Sequence, residues 1–221
     1  MKIYTTAADG DRRLQYTKYD VGCMIPSPCR SKLSELRKTC DYFALDNGAF
    51  GSYLRGLPFM PNIYERTLEQ VYISGIRLEF LVCPDIVNGG KRSLDFSLKW
   101  ATGRLLGTPN LALALQDGMT ETNVGRALDQ AQFTWLFIGG GVPREENVIR
   151  KWVDFARKEQ MKVHIGKVGT IEELRLATRC KVDSVDSSSF MRNQAWNILE
   201  RFRGNTQPDL LEDLDTETAQ E

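Results

Sequence analysis

The sequence predicts an α/β protein in which eight parallel strands close into a compact (β/α)8 TIM barrel. β-type runs alternate with amphipathic helical stretches along most of the chain. The strand-like runs are continuously apolar, which is typical of parallel strands covered by helices. About eight strand–helix units are present, although 221 residues is fewer than the usual ~250 of such barrels. An open doubly wound sheet is the alternative, but no G-x-G-x-x-G follows the first strand to support its dinucleotide-binding form.

The predicted strands are short and carry β-branched, aromatic or aliphatic residues. They cover residues 2–7 (KIYTTA), 19–26 (YDVGCMIP), 42–46 (YFALD), 78–85 (LEFLVCPD), 110–116 (NLALALQ), 134–141 (TWLFIGGG), 161–169 (MKVHIGKVG) and 182–186 (VDSVD).

The predicted helices follow most of these strands and show helical spacing of apolar residues. They cover residues 29–40, 62–74, 92–106, 120–131, 145–160, 170–179 and 192–203. Thr120 is a predicted N-cap, and Thr170 and Glu173 form a predicted capping box. Asn62, directly after Pro61, is a further candidate N-cap.

Two segments are predicted from composition: a barrel domain over residues 1–204 and an acidic, disordered tail over 205–221. The whole chain carries 29 basic and 29 acidic residues, so removal of the tail leaves a mildly basic domain. No apolar run approaches the ~20 residues of a membrane span. Five cysteines without a recognisable signal peptide favour a reducing cytoplasm, which is the host cytoplasm if the protein is phage-encoded.

No metal or cofactor site is predicted. The five cysteines form no C-x-x-C pair, and the single histidine, His164, is distant from all of them in sequence. A structural zinc site usually needs four closely grouped ligands, so zinc is not expected.

Polar residues and glycines follow successive predicted strands, at the end of a barrel where active sites form. They are Asp46, Asp85, Gln116, Gly139–Gly140–Gly141, Gly166 and Asp186. Small residues allow a flat ligand to approach the backbone, and Asp and Gln can recognise the edge of a heterocycle. A carboxylate can also act as a nucleophile at an anomeric carbon.

Structural explanations exist for the same residues. Aspartate and asparagine are favoured in turns, so LDNGAF also fits a tight turn after a strand. Asp183 lies inside the last predicted strand and is interpreted as structural. His164 is interpreted as a barrel-lining residue, and no histidine is expected at the centre of the site.

Five segments, taken in order, resemble motifs of the tRNA-guanine transglycosylase superfamily. LDNGAFGSY is similar to a D-S-G-G-F-Q motif, and KVDSVDSSSFMRNQA is similar to G-V-D-x-F-D-x-x-x-P-T-R-x-A, with Phe190 at the proline position. Between them, ALALQDG, FIGGGVPREE and HIGKVGTIEEL resemble the I-x-Q-G, G-G-L-x-x-G-E and L-M-G-V-G-T-P-E-D-L segments. The resemblance extends from about Phe43 to Arg192.

The resemblance implies a TIM-barrel enzyme that exchanges guanine in a nucleic acid for a 7-deazaguanine base. By register, Asp186 is the implied nucleophile that attacks C1′, and Asp46 is the implied general base of the second half-reaction. The residues implied to recognise the base or hold the nucleic acid are Asp85, Gln116, the backbone of Gly139 and Gly140, and Arg192.

The implied partners are a nucleic acid and a free 7-deazaguanine-type base. The tRNA enzymes carry a C-terminal zinc subdomain that is not recognised here, and the chain looks like the compact DpdA-type relatives of phages and bacteria. DNA is therefore favoured over tRNA as the substrate. The loop residues expected to form a basic face are Arg55, Lys91, Arg92, Arg144 and Lys167.

Four alternatives remain open at this stage. They are a tRNA-guanine transglycosylase, a DNA glycosylase that excises a base by hydrolysis, a non-catalytic barrel that binds nucleic acid, and an unrelated barrel acting on a small phosphorylated metabolite. The last draws on HIGKVGT, a glycine-containing junction between a strand and a helix.

Overall fold

Eight parallel strands close into a barrel in sequence order in the computed structural model, which describes residues 1–139 and 141–204. The strands are β1 (Lys2–Thr6), β2 (Gly22–Ile25), β3 (Phe43–Leu45), β4 (Leu78–Val82), β5 (Leu111–Leu115), β6 (Trp135–Ile138), β7 (Lys162–Ile165) and β8 (Ser184–Asp186). Strand β1 also pairs with β8, with Tyr4 opposite Asp186, and this pairing closes the barrel. The predicted (β/α)8 barrel is confirmed. Gly140 and the predicted tail over 205–221 lie outside the described residues.

Helices occupy the connections between the strands. They are α1 (Leu14–Lys18), α2 (Leu33–Leu36), α3 (Ala49–Leu54), α4 (Pro61–Ser74), α5 (Lys91–Ala101), α6 (Glu121–Leu128), α7 (Glu146–Lys158), α8 (Ile171–Arg179), α9 (Ser188–Arg192) and α10 (Trp196–Gly204). A 3₁₀ turn over Gly10–Arg13 precedes α1. The short helices α1 and α3 lie where no helix is predicted from sequence, and α9 shares only Arg192 with the predicted helix over 192–203. In the described part of the chain, no helix is long and apolar enough to cross a membrane.

Local capping signals were predicted well, with one error. The Oγ1 atom of Thr170 accepts a hydrogen bond from the Glu173 N–H, and the Glu173 carboxylate accepts one from the Thr170 N–H, both at 3.1 Å. Thr120 likewise caps α6. The prediction for Asn62 was wrong, because α4 begins at Pro61 with Met60 as its N-cap. Proline suits the first position of a helix, since its missing N–H would have no partner there.

Aromatic rings fill the interior of the barrel. Tyr4, Phe80 and Trp135 are buried there, with ring centroids 5.7 Å apart for Tyr4–Phe80 and 4.5 Å apart for Phe80–Trp135. Near the start of the strands, the Tyr4 hydroxyl donates to Glu79 at 2.8 Å. The interior of the barrel near the start of the strands is therefore a packed core rather than a pore. The carboxyl ends of the strands form the opposite end of the barrel, where the active sites of enzymes with this fold lie.

Candidate active site

A tight turn after β3 presents Asp46 at the mouth of the barrel. The Asp46 N–H continues the strand pairing by donating to the Ile25 carbonyl at 2.8 Å. Asn47 Oδ1 accepts from the Ala49 N–H at 2.8 Å, which starts α3. Gly48 has a φ of +76°, and a Cβ there would lie 2.0 Å from the Ser27 carbonyl oxygen. The turn explanation for LDNGAF is thus correct, and the same turn holds a half-buried carboxylate at the strand end.

A buried network of amides surrounds Asp85. Asn47 Nδ2 donates to Asp85 Oδ1 at 2.7 Å, and Gln116 Nε2 donates to Asp85 Oδ2. Gln116 Oε1 in turn accepts from the Asn88 N–H at 3.0 Å, which fixes the orientation of the amide. The loops after β3, β4 and β5 are joined by these bonds. Asn47 and Asn88 were not identified from sequence as site residues.

Two of the mouth carboxyl groups have raised pKa values. Burial raises the pKa of Asp46 to about 7, and the charges of Asp186 and Asp85 add to the effect, while hydrogen bonds from backbone N–H groups oppose it. Burial also raises the pKa of Asp85 to about 6, opposed by the hydrogen bonds from Asn47 and Gln116. Near neutral pH, Asp46 can therefore both give and take a proton.

Asp186 ends β8 and receives a hydrogen bond from inside the barrel. His164 Nε2 lies 2.9 Å from Asp186 Oδ1, and His164 Nδ1 lies 2.8 Å from Ser184 Oγ. The Asp186 side chain is 19% exposed, whereas the His164 side chain is fully buried. His164 lines the barrel, as interpreted from sequence. The expectation that no histidine lies at the centre of the site was wrong, because β7 and β8 are adjacent and both side chains point inward.

Glycines make room beside these groups. A Cβ at Gly166 would lie 2.8 Å from Phe137 Cζ and 3.2 Å from Asp186 Oδ1. At Gly139 a Cβ would lie 3.2 Å from the Leu115 carbonyl oxygen and 3.8 Å from Gln116 Nε2. Gly139 therefore adjoins the Asp85 network, as its sequence position suggests, and Gly140 lies outside the described residues.

The predicted basic residues divide into two groups. Arg144 Nη2 donates to the Gly166 carbonyl at 2.6 Å, and burial lowers the pKa of Arg144, opposed by the charges of Glu173 and Asp186. Desolvation similarly lowers the pKa of Lys167, opposed first by the charge of Asp186. Both cations thus act electrostatically on Asp186. The remaining predicted cations are exposed and make no side-chain hydrogen bond or ion pair within the described residues: Arg55, Lys91, Arg92 and Arg192.

Other sequence interpretations have a clear structural outcome. Asp183 lies before β8, where it accepts a hydrogen bond from the Val163 N–H at 2.7 Å and pairs with Arg157 at 2.9 Å, in keeping with a structural role. Phe190 lies where the similar family motif has proline. It is fully buried in α9, and its ring centroid is 6.3 Å from that of Trp196. Phe190 therefore fills the core beneath α10.

The fold and site define a (β/α)8 barrel whose mouth combines three carboxyl groups, a buried histidine and a buried amide pair. No group of three or more His, Cys, Asp or Glu side chains is arranged to hold a metal ion within residues 1–139 and 141–204. No known protein-family model matches the chain, and no curated protein matches it in sequence.

Proposed function

We propose that this protein is a nucleic-acid guanine transglycosylase that replaces guanine in DNA with a 7-deazaguanine derivative through a covalent glycosyl ester on Asp186. One observation carries the proposal. Asp186, oriented by a hydrogen bond, shares the mouth with Asp46, a carboxyl group whose pKa is raised to about 7. A nucleophilic carboxylate beside a second carboxyl group that exchanges protons is the combination used for substitution at anomeric carbons.

In the first half-reaction, Asp186 Oδ2 attacks C1′ of the target nucleotide. A C1′–O bond forms while the C1′–N9 bond breaks, and the electron pair of that bond leaves with the purine. Protonated Asp46 supplies the proton that the leaving guanine requires. The transition state is oxocarbenium-like, so the negative charge of Asp186 stabilises it electrostatically.

In the second half-reaction, ionised Asp46 takes the N9 proton of the incoming 7-deazaguanine. N9 then attacks C1′, and the ester electron pair returns to Asp186 Oδ2. Both carboxyl groups end in their starting states, so the cycle needs no cofactor and no external acid. A pKa near 7 suits this alternation, because neither protonation state of Asp46 is costly near neutral pH.

The Asp85 network suits recognition of a purine-like edge. Each Asp85 oxygen accepts one hydrogen bond, from Asn47 or from Gln116, and retains lone pairs for a donor on the base. Gly139 beside Gln116 leaves the backbone open to a flat ring. We assign base recognition to Asp85, Gln116 and the Gly139–Gly140 backbone, and contact with the nucleic-acid backbone to exposed Arg192.

DNA is proposed as the polymer on the resemblance to the compact DpdA-type relatives. A base in a duplex must leave the stack before its C1′ can be attacked, at a cost of a few kcal/mol. Single-stranded or locally opened DNA should therefore react faster than a stable duplex of the same sequence.

The test measures transfer of a labelled 7-deazaguanine base into DNA and, in parallel, into tRNA. Wild-type protein should label DNA and form a covalent protein–DNA adduct that survives denaturing electrophoresis. Asp186→Asn should abolish both, whereas Asp117→Asn, the same chemical change at an exposed mouth position, should retain them. Full activity of Asp186→Asn, or no label in either polymer, would overturn the proposal.

The same experiment separates exchange from hydrolysis. Alkali-sensitive sites in DNA that form without any incoming base would identify a DNA glycosylase, in which water resolves the Asp186 ester. Label in tRNA alone would reassign the polymer and leave the chemistry intact.

A further inference from the structure

His164 is the only histidine in the chain, and it connects two polar residues of the neighbouring strand β8. Its Nδ1 lies 2.8 Å from Ser184 Oγ and its Nε2 lies 2.9 Å from Asp186 Oδ1. His164 and Ser184 are fully buried, and they are directly opposite each other in the strand register. Ser184, His164 and Asp186 are thus connected by hydrogen bonds from the barrel interior to the mouth.

The hydrogen-bonding capacity of each group determines the direction of these hydrogen bonds. An ionised carboxylate only accepts, so His164 must donate its Nε2–H to Asp186 Oδ1. In the neutral ring, Nδ1 then carries a lone pair, and the Ser184 hydroxyl donates to it. One proton arrangement therefore satisfies all three groups without a charge on the imidazole.

Aromatic neighbours hold the imidazole in this orientation. The Phe137 ring stacks on His164 with a centroid distance of 4.8 Å and an interplanar angle of 22°. Phe80 and Tyr4 lie against it at 5.0 and 5.8 Å. The two phenylalanine rings carry no hydrogen-bond acceptor, and the Tyr4 hydroxyl donates to Glu79. The fully buried imidazole is thus packed among three rings, and its ring nitrogens bond to Ser184 and Asp186.

We propose that His164 is a positioning residue for the Asp186 nucleophile. Its Nε2–H occupies Oδ1 and fixes the carboxylate, so that Oδ2, which has no hydrogen-bond partner among the described residues, is the atom that attacks. A neutral donor orients the carboxylate without cancelling its charge, which a cationic partner in the same position would do. This inference rests on the proposed role of Asp186 as nucleophile.

The first test determines which imidazole nitrogen of His164 carries a proton in the wild-type protein. Because His164 is the sole histidine, ¹⁵N-histidine labelling gives a single imidazole in long-range ¹H–¹⁵N spectra. We expect Nε2 to be protonated and Nδ1 to be unprotonated near neutral pH. An Nε2 atom without a proton would overturn the proposal, because the ring could then no longer donate to Asp186, and a proton on both nitrogens would refute the neutral donor. This measurement requires neither a substrate nor a variant.

The second test compares two substitutions by the rate of covalent adduct formation in a single turnover. His164→Gln keeps an N–H donor near the position of Nε2, whereas His164→Leu has no donor and fills much of the same volume. We expect His164→Leu to slow adduct formation by about 10- to 100-fold, because a hydrogen bond to a charged group is lost. The dissociation constant for DNA should be unchanged. Gln should restore most of the rate.

The outcomes distinguish this inference from the proposed function. If Asp186→Asn is inactive and folded His164→Leu reacts at the wild-type rate, the positioning role is refuted and the proposed function stands. Equal slowing by Gln and Leu would indicate a packing role only and would also refute it. Full activity of Asp186→Asn would instead refute the proposed function itself.

Discussion

Asn47 Nδ2 lies 2.7 Å from Asp85 Oδ1 and 2.8 Å from the Cys83 carbonyl oxygen, so one amide group joins the turn after β3 to the end of β4. The other oxygen of the same carboxylate accepts from Gln116, beyond the end of β5. Three consecutive strand ends are thereby held in one arrangement by hydrogen bonds to a single buried side chain. The hydrogen-bonded connection between these loops depends on Asp85 as an acceptor with two oxygens.

Asp85→Asn should destabilise the protein by about 1–3 kcal/mol. The new amide places an N–H₂ group opposite another N–H₂ donor, from either Asn47 or Gln116, so one buried hydrogen bond is lost. The free energy of unfolding from urea titration would measure this. Asp117→Asn, at an exposed position, should change it by no more than about 0.5 kcal/mol. Equal stability of the two variants would contradict the role assigned to the network.

Asp46 should make the folded state less stable as pH rises. Its pKa is raised from an ordinary 3.8 to about 7, so the folded protein binds this proton more tightly than the unfolded chain. The stability that the proton contributes is complete below about pH 4 and is lost as pH rises through about 7. Asp46→Asn should remove this dependence and be more stable than wild type above pH 7, by at least about 1 kcal/mol.

The contribution of Asp46 is best measured as the difference in the free energy of unfolding between wild type and Asp46→Asn at each pH, because other groups titrate in the same range. Asp85, whose pKa is raised to about 6, contributes in the same direction in both proteins and cancels to a first approximation. A stability difference that does not vary between about pH 4 and pH 8 would show that Asp46 is not perturbed in the folded protein.

Gly166→Ala should impair adduct formation and stability together. The added Cβ would lie 2.8 Å from Phe137 Cζ and 3.2 Å from Asp186 Oδ1, so the ring that stacks on His164 must shift. We expect a cost of about 1–3 kcal/mol. Gly125→Ala, within α6, is the matched control because no atom lies within 4 Å of its added Cβ. That variant should be neutral or stabilised by up to about 1 kcal/mol, since alanine favours helix.

Arg144→Lys should loosen the loops that follow β6 and β7. Arg144 Nη2 donates to the Gly166 and Gly139 carbonyls at 2.6 and 3.4 Å, and the shorter lysine side chain does not bring its ammonium group to the position of Nη2. Faster amide hydrogen exchange in these two loops, with slower adduct formation, is the expected result. Arg150→Lys, which alters an exposed ion pair with Glu146, should leave exchange in both loops unchanged.

The sequence alone was sufficient for the fold and for the local signals. Alternating strand and helix patterns, continuous apolar strands and the Thr170–Glu173 capping box depend on residues close together in the chain, and all are confirmed. Asp46, Asp85 and Gln116 were identified because parallel strands of one barrel must end at the same face. The predicted N-cap, Asn62, lies two residues after the observed one, Met60, because proline and asparagine both favour the start of a helix.

The contacts within the mouth were decided by tertiary structure. His164 and Asp186 are 22 residues apart, and Asn47 and Asp85 are 38 residues apart. Their contacts depend on the register of β7 on β8 and on the path of two loops, which no local pattern encodes. Side chains two residues apart in a strand lie on the same face, so His164 could be predicted to point inward, as Gly166 does. The contact between its ring and Asp186 could not be predicted, because it also depends on the strand register and on the aromatic packing around the imidazole.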